Sequence, residues 1–194
     1  EEEQILQVFQ DLRTGHGDLQ LIIAPRHPER GDAIEQLIRD RGYEVCRRTR
    51  VIEGTENPSD LRDSAMVSVG LLDTIGELAS VYSAAEVVFV GGSLANIGGH
   101  DILQPLAQAK PVIFGPHMHK TKDIAELALR DDVAYQVGDA SELLMKVHEL
   151  LGDEELREDL GRRGQEFVNK YAGASAECAR RLSTLVERLE RDRH

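Results

Sequence analysis

The sequence has no tryptophan, only two cysteines and a deficit of positive charge, and each of these features narrows what the protein can be. Cys46 and Cys178 lie far apart in the chain, which excludes a disulfide framework and is typical of reduced cytosolic thiols. Lysine and arginine number 23 against 35 aspartates and glutamates, giving a formal net charge of −12. We therefore expect no nucleic-acid partner, since phosphate backbones require clustered positive charge, although a small anion could still bind in one local pocket.

The sequence also lacks the features of a membrane or secreted protein. No apolar run approaches the roughly 18 residues of a spanning helix, and no signal peptide is visible. The 194 residues, of which 41% are hydrophobic and 30% charged, predict a soluble globular domain with a real core. Because the first residue is glutamate rather than methionine, we expect the chain to be a piece of a longer protein.

Short apolar runs alternate with amphipathic segments over the first two thirds of the chain. Six runs predict strands, at 19–25, 43–48, 65–72, 86–92, 111–115 and 133–138. Helical spacing predicts helices at 1–14, 29–41, 75–85, 101–109, 122–132, 140–151, 153–170 and 174–192. Apolar strands that alternate with helices are typical of a parallel sheet covered on both faces. We predict a Rossmann-like α/β domain, with one doubly wound sheet of about six strands and C-terminal helices.

Ligands of such domains bind beyond the carboxyl ends of the strands, so the turns after the strands are the candidate site. Four turns carry polar or glycine-rich sequence: "APRHPER" (24–30), "LLDTIGE" (71–77), "GGSLANIGGHD" (91–101) and "GPHMHKTKD" (115–123).

The first two turns offer a cation and an anion. Arg26 carries a planar guanidinium that suits a phosphate or carboxylate, but it could equally cover a helix end at the surface. His27 is more typical of a structural histidine. Glu77 follows Gly76 at a predicted helix start, where the helix dipole favours an acid whatever the function. The functional alternative is that N–H groups at this helix start contact a ligand.

The third turn is rich in glycine, which permits close approach of the backbone to a ligand. Gly98 and Gly99 precede a predicted helix, whose free N–H groups would form an anion site. No G-x-G-x-x-G or P-loop motif is present, so neither a dinucleotide nor a P-loop nucleotide is predicted. Asp101 and Gln104 have the spacing of a helix capping box, which would account for both residues without a ligand.

The fourth turn contains two histidines and two lysines. His117 and His119 have no third ligand within reach by spacing, so no metal site is predicted. We expect this turn, with Lys120 and Lys122, to form a polar rim over a ligand.

Together, four segments resemble, in order and spacing, the C-terminal half of the 3-deoxy-D-manno-octulosonic acid (Kdo) transferases. They read "APRHPER", "DTIGELASVYSAAEVVFVGGSL", "IGGHDILQP" and "KPVIFGPHMHKTKDIAE", and the resemblance covers about residues 19–171. It implies a GT-B glycosyltransferase with two Rossmann-like domains. Residues 1–194 would be a single CMP-sugar donor-binding domain, with the partner N-terminal domain absent from the chain.

The resemblance also implies a function. The full-length enzyme would transfer Kdo from CMP-Kdo to a lipid A precursor in lipopolysaccharide core biosynthesis, at the cytoplasmic face of the bacterial inner membrane. The general base, the acceptor surface and the membrane contact would belong to the N-terminal domain, so this chain alone would transfer no sugar. No metal or cofactor is implied beyond the donor substrate itself.

Matching positions imply which residues contact the donor, with Arg26 placed to meet the CMP phosphate. The family usually has Asn-x-Leu-Glu at 101–104, whereas this chain has Asp101 and Gln104. The exchange puts a negative charge near the expected phosphate and removes a carboxylate suited to the ribose hydroxyls. Ile75 stands where the family commonly has methionine. The implied donor contacts are Pro25, Arg26, Ile75, Gly76, Glu77, Ser93, Gly98, Gly99, Asp101, Ile102, Leu103 and Gln104.

Two alternatives remain open from the sequence. One is the donor domain of another GT-B glycosyltransferase that uses a UDP- or GDP-sugar. The other is a non-catalytic nucleotide-binding module that kept the fold and lost the chemistry, an interpretation that the exchange at Asp101 and Gln104 favours.

Overall fold

The computed structural model describes the backbone of residues 1–57 and 68–191, and the side chains of 1–57 and 69–172. The first residues of the third predicted strand, the last three residues of the predicted loop at 53–60 and the last residue of the final predicted helix lie outside the described residues. So does the side chain of Cys178, while Cys46 is a free thiol.

Six short parallel strands form where the apolar runs predict them. They are β1 (Leu21–Ile23), β2 (Glu44–Arg47), β3 (Ser68–Leu71), β4 (Val88–Val90), β5 (Val112–Phe114) and β6 (Tyr135–Gln136). They are arranged in two three-stranded sheets, of order β1-β3-β2 and β4-β5-β6, so the expectation of one six-stranded sheet is wrong. Among the described residues, β1 pairs with β3, and β4 pairs with β5. Local sequence patterns do not encode which strands pair.

Eight α-helices are described, and a short 3₁₀ helix at Pro28–Arg30 precedes the second. The last two predicted helices form one continuous helix, because a single glycine costs only about 1 kcal/mol in a helix interior and no proline interrupts the segment. The helices are α1 (Glu2–Leu12), α2 (Gly31–Asp40), α3 (Arg48–Ile52), α4 (Leu78–Ala84), α5 (Leu103–Ala107), α6 (Lys122–Arg130), α7 (Ala140–Gly152) and α8 (Glu154–Arg191).

Helix α1 packs between the two halves of the core, because helical spacing places its apolar residues on two adjoining faces. Leu6 and Phe9 join the cluster around the first sheet and α2. Val8 and Leu12 join a cluster with Ile113 of β5, α7 and the start of α8. A further cluster packs β4 and β5 against α5, α6 and Phe167 of α8. The N-terminal helix is therefore an integral part of the domain.

The strand register fixes where the candidate site lies. Ile23 and Arg47 both pair with Leu71, and Phe114 pairs with both Val90 and Gln136. The carboxyl ends of the strands are therefore level within each sheet, and the turns that follow them emerge along one edge. In the described part of the chain, no helix is both apolar and long enough to traverse a bilayer.

Candidate functional site

The first, third and fourth turns approach one another around His100. Burial lowers the pKa of His100, the positive charges of Arg26 and Lys120 lower it further, and the carboxylate of Glu1 opposes them. These electrostatic interactions bring together groups from the turns after β1, β4 and β5. Two cations, Arg26 and Lys120, thus lie around His100 together with the Glu1 carboxylate, in a chain whose net charge is −12.

Arg26 is the predicted phosphate ligand, and its guanidinium is exposed. Within residues 1–57 and 68–191 it forms no hydrogen bond or ion pair, so its donors are available to an anion. Pro25 beside it is half-buried. His27 is exposed and contacts Glu29, with 3.1 Å between Nδ1 and Oε1.

The second turn combines an exposed apolar residue with a paired acid. Ile75 is 88% exposed, and Gly76 has a φ of +91°, a conformation that favours glycine. The Glu77 carboxylate accepts hydrogen bonds from Arg48, at 2.6 Å from Nε and 3.3 Å from Nη2. This pairing with Arg48 lowers the pKa of Glu77. Sequence reasoning identified Glu77 but missed its partner.

A network of charges behind the second turn was also missed. Buried Asp73 accepts hydrogen bonds from the Thr49 N–H (2.9 Å), the Thr49 hydroxyl (2.7 Å) and Arg47 Nε (2.7 Å). Burial by itself would raise the pKa of Asp73, but these bonds outweigh it and the pKa is lowered. The network fixes the turn that carries Ile75 and Glu77 to the turn after β2. The arginines of "CRRTR" (46–50) were its only signal in the sequence.

Glu35 is the second acid of this network, and three arginines surround it. It accepts bonds from Arg39, Arg47 and Arg50 at distances from 2.7 to 3.0 Å. Burial would raise its pKa, but the three guanidinium groups lower the pKa to about 2. Glu35 is therefore ionised throughout the physiological range and orders the arginines around it.

Ser93, a predicted donor contact, is fully buried. Its hydroxyl donates to the Val90 carbonyl (2.5 Å) and accepts from the Gly115 N–H (2.8 Å), so it links the turns after β4 and β5. A Cβ on Gly115 would lie only 2.4 Å from Ser93 backbone atoms, so this close approach requires glycine. The side chain of Ser93 therefore has a structural role, and contact with a donor stays a prediction.

Gly98 and Gly99 adopt φ angles of +111° and +71°, which favour glycine. Their N–H groups both donate to the Gly92 carbonyl, at 3.0 and 2.8 Å. These two N–H groups are therefore engaged within the protein, whereas the predicted anion site concerned the N–H groups of the helix start, where Leu103 donates to Asp101. Both glycines are buried, and side chains of the fourth turn pack on them, so their role as donor contacts stays a prediction.

The segment 101–104 divides into outward and inward residues. Asp101 and Gln104 are exposed at the start of α5, whereas Ile102 is fully buried and Leu103 packs on the core. The capping box is wrong: Asp101 Oδ1 accepts from the Leu103 N–H (2.8 Å), but the helix begins at Leu103, too late for the box. Asp101 also acts electrostatically on Tyr82 of α4, which places the third turn near that helix.

The fourth turn packs on the glycine-rich turn and bounds a cavity. A Cβ on Gly98 would lie 2.6 Å from His119 Nε2 and 2.8 Å from Lys120 Cγ. No group of three histidine, cysteine or acidic side chains in the described part of the chain is placed to hold a metal ion. The cavity has a volume of about 280 Å³ and is lined by Phe114, Pro116, His117, Met118, His119, Lys122, Ala125, Glu126, Leu129 and Gln136.

The fold and the grouped turns define a Rossmann-like α/β domain with a candidate ligand site at the strand ends. No family model matches the sequence. Individual relatives do: the Kdo transferase of Haemophilus influenzae is 33% identical over 193 residues, or 99% of this chain and 42% of the relative. The Kdo transferase of Aquifex aeolicus is 34% identical over 151 residues, which are 78% of this chain and 39% of that relative. The chain thus spans about two fifths of these relatives.

A solved structure narrows the likeness to one part of such a protein. The C-terminal CMP-Kdo binding domain of WaaA from Acinetobacter baumannii superimposes with a TM-score of 0.73 and 29% sequence identity. The likeness covers 85% of this chain and 82% of that domain. The chain is therefore a homologue of the Kdo transferases, and its fold is that of their C-terminal donor domain within the GT-B architecture.

Proposed function

We propose that residues 1–194 form the donor-binding domain of a Kdo transferase and bind CMP-Kdo at the turns around His100. The observation that carries this proposal is the likeness, over most of both chains, to a solved CMP-Kdo binding domain. The basic grouping in an acidic chain supports it, since the donor carries a phosphate and a sugar carboxylate.

The geometry suggests how the donor would be held. Arg26, which has no protein partner among the described residues, would meet the CMP phosphate, with Lys120 and His100 beside it. The positive charges of Arg26 and Lys120 at this position would stabilise the charge that develops on CMP as it leaves the sugar. Of the predicted contacts, the outward side chains at the site are Arg26, Ile75, Glu77, Asp101 and Gln104, whereas Ser93 and Ile102 face inward.

The activity of the whole protein is part of the proposal. A full-length enzyme would transfer Kdo to a lipid A precursor at the inner membrane, with the acceptor and the general base on a partner N-terminal domain. Deprotonation of the acceptor hydroxyl requires a base within hydrogen-bond reach, and that group is expected outside this chain. This chain would therefore bind the donor without transferring sugar.

Calorimetric titration with CMP, UMP and GMP tests the donor-binding role. We expect saturable CMP binding, weaker binding of the other two nucleotides, and about a tenfold or greater loss of CMP affinity in Arg26→Ala, because a charged hydrogen bond to phosphate is removed. The matched control is Arg162→Ala, an exposed arginine of α8 whose ion pairs are to Asp159 and Glu166.

Two outcomes would contradict the proposal. Preference for UMP or GMP would indicate a donor domain for a different nucleotide sugar. Absence of binding at millimolar CMP, where a free energy of about −4 kcal/mol is still measurable, would favour a module that has lost donor binding.

A further inference from the structure

Glu1 occupies a position that the sequence gave no reason to notice. Its carboxylate accepts hydrogen bonds from four consecutive backbone N–H groups of the glycine-rich turn. Oε2 accepts from Gly92 (2.5 Å), and Oε1 accepts from Ser93 (3.1 Å), Leu94 (2.8 Å) and Ala95 (3.4 Å). The side chain is only 11% exposed. Such charge-assisted bonds are stronger than those between neutral groups, and they offset the burial of the carboxylate.

The second half of the glycine-rich turn folds back onto Gly92. The N–H groups of Gly98 and Gly99 both donate to the Gly92 carbonyl. Gly92 is thus the centre of the turn: its N–H is held by Glu1, its carbonyl holds Gly98 and Gly99, and its φ is +69°. The conformation of the turn up to Gly99 therefore depends on the anchoring of Gly92.

Two neighbours connect Glu1 to the basic groups of the candidate site. The His100 ring packs on Gly92, since a Cβ there would lie 3.1 Å from His100 Nε2. Glu2, the next residue, accepts a 2.6 Å hydrogen bond from Arg30 at the end of the turn that carries Arg26. The first two residues thus contact both the turn after β1 and the turn after β4.

We propose that Glu1 is a positioning residue of the donor site, a role that rests on the proposed function. Its carboxylate serves as a built-in anion for the N–H groups of 92–95 and holds the turn that leads to His100, whose ring packs on Gly92. The competing interpretation is that these N–H groups belong to the donor phosphate and that Glu1 blocks them. The two interpretations predict opposite effects of removing the carboxylate.

The test compares CMP binding by the wild-type chain, Glu1→Ala and Glu1→Gln. We expect CMP affinity to fall about tenfold in Glu1→Ala, because four N–H groups lose their acceptor and the turn loses its anchor. Added formate should restore affinity, since a free carboxylate can occupy the vacated position. A loss of affinity from general destabilisation would not respond to formate. Glu3→Ala, an exposed acid of the same helix, is the matched control.

If Glu1→Ala folds poorly, NMR spectroscopy of the milder variant Glu1→Gln provides a second test. In Glu1→Gln, which retains one side-chain oxygen, the amide resonances of Gly92, Gly98 and Gly99 should shift in the absence of ligand. Higher CMP affinity in Glu1→Ala, competition between formate and CMP, or unchanged affinity and resonances would overturn the proposal. A wild-type chain that binds no CMP would instead refute the donor-binding function, and shifted glycine resonances would still report the anchoring itself.

Discussion

The charges at the strand ends fall into two groups that differ in how completely they are paired. Behind the second turn, Asp73 and Glu35 are surrounded by arginines and Thr49, and both acids have lowered pKa values. Around His100, by contrast, Arg26 forms no bond to any described residue and positive groups dominate. Paired charges satisfy one another and stabilise a conformation, whereas unpaired charges of one sign are available to a ligand. The first group thus fits a structural role and the second a binding role.

The largest expected effect lies in the paired group. Asp73→Ala should destabilise the domain by about 3 kcal/mol, because Arg47 and the Thr49 N–H and hydroxyl lose a buried partner. Urea unfolding followed by circular dichroism measures this difference. The exposed residue Asp18 provides the control variant Asp18→Ala, which should unfold like the wild type. If Asp73→Ala were as stable as the control, the network would contribute little to the stability of the domain. The paired charges would then have no structural role that distinguishes them from the charges around His100.

A smaller effect, on CMP affinity, is expected at Asp101 and Gln104, where the chain differs from the usual sequence of the Kdo transferases. The double change Asp101→Asn with Gln104→Glu should raise CMP affinity about tenfold, which corresponds to about 1.4 kcal/mol. It removes a negative charge near the expected phosphate and supplies a carboxylate for ribose hydroxyls. Because both side chains are exposed, the melting temperature should not change. Calorimetry on the double variant and on Asp101→Asn alone separates the two contributions.

Equal or lower affinity in the double variant would mean that this chain holds its ligand differently at α5. Asp101 would then have a role of its own beyond accepting the Leu103 N–H. The contrast between paired and unpaired charges would still hold, because it depends on Arg26, Lys120 and His100 rather than on Asp101 or Gln104.

The sequence predicted the class of fold because that class depends on local patterns, and the same patterns give the predicted position of the candidate site. Apolar runs between amphipathic segments located all six strands, and the turns after them contain the basic grouping. Strand order, the pairing of Glu77 with Arg48 and the bonds of Glu1 depend on contacts between distant segments, which no local pattern reports. Ser93 shows the same limit: the resemblance implies a donor contact, which stays a prediction, whereas no local pattern reports the close approach of Gly115 that holds its side chain in the core.

The smallest expected effect concerns His100, the one titratable group that reports directly on the unpaired charges. Burial and the charges of Arg26 and Lys120 hold its pKa below the ordinary value of 6.5, with Glu1 opposing and His27 contributing to the decrease. A bound CMP phosphate would add negative charge beside the ring, so the pKa should rise on binding. By linkage, protonation of His100 should favour CMP at acidic pH, by less than tenfold if the change is below one unit.

The measurement is an NMR titration of the His100 ring with and without CMP. The variant Arg26→Ala is a further test. Because His100 loses a positive neighbour, its pKa in the free protein should rise, and the change in that pKa on CMP binding should be smaller. His100→Gln should abolish the part of the pH dependence of affinity that exceeds the titration of CMP itself. An unchanged pKa in the CMP complex would place the phosphate away from His100. The basic grouping would then belong to another part of the donor, and the sugar carboxylate would be the next group to test there.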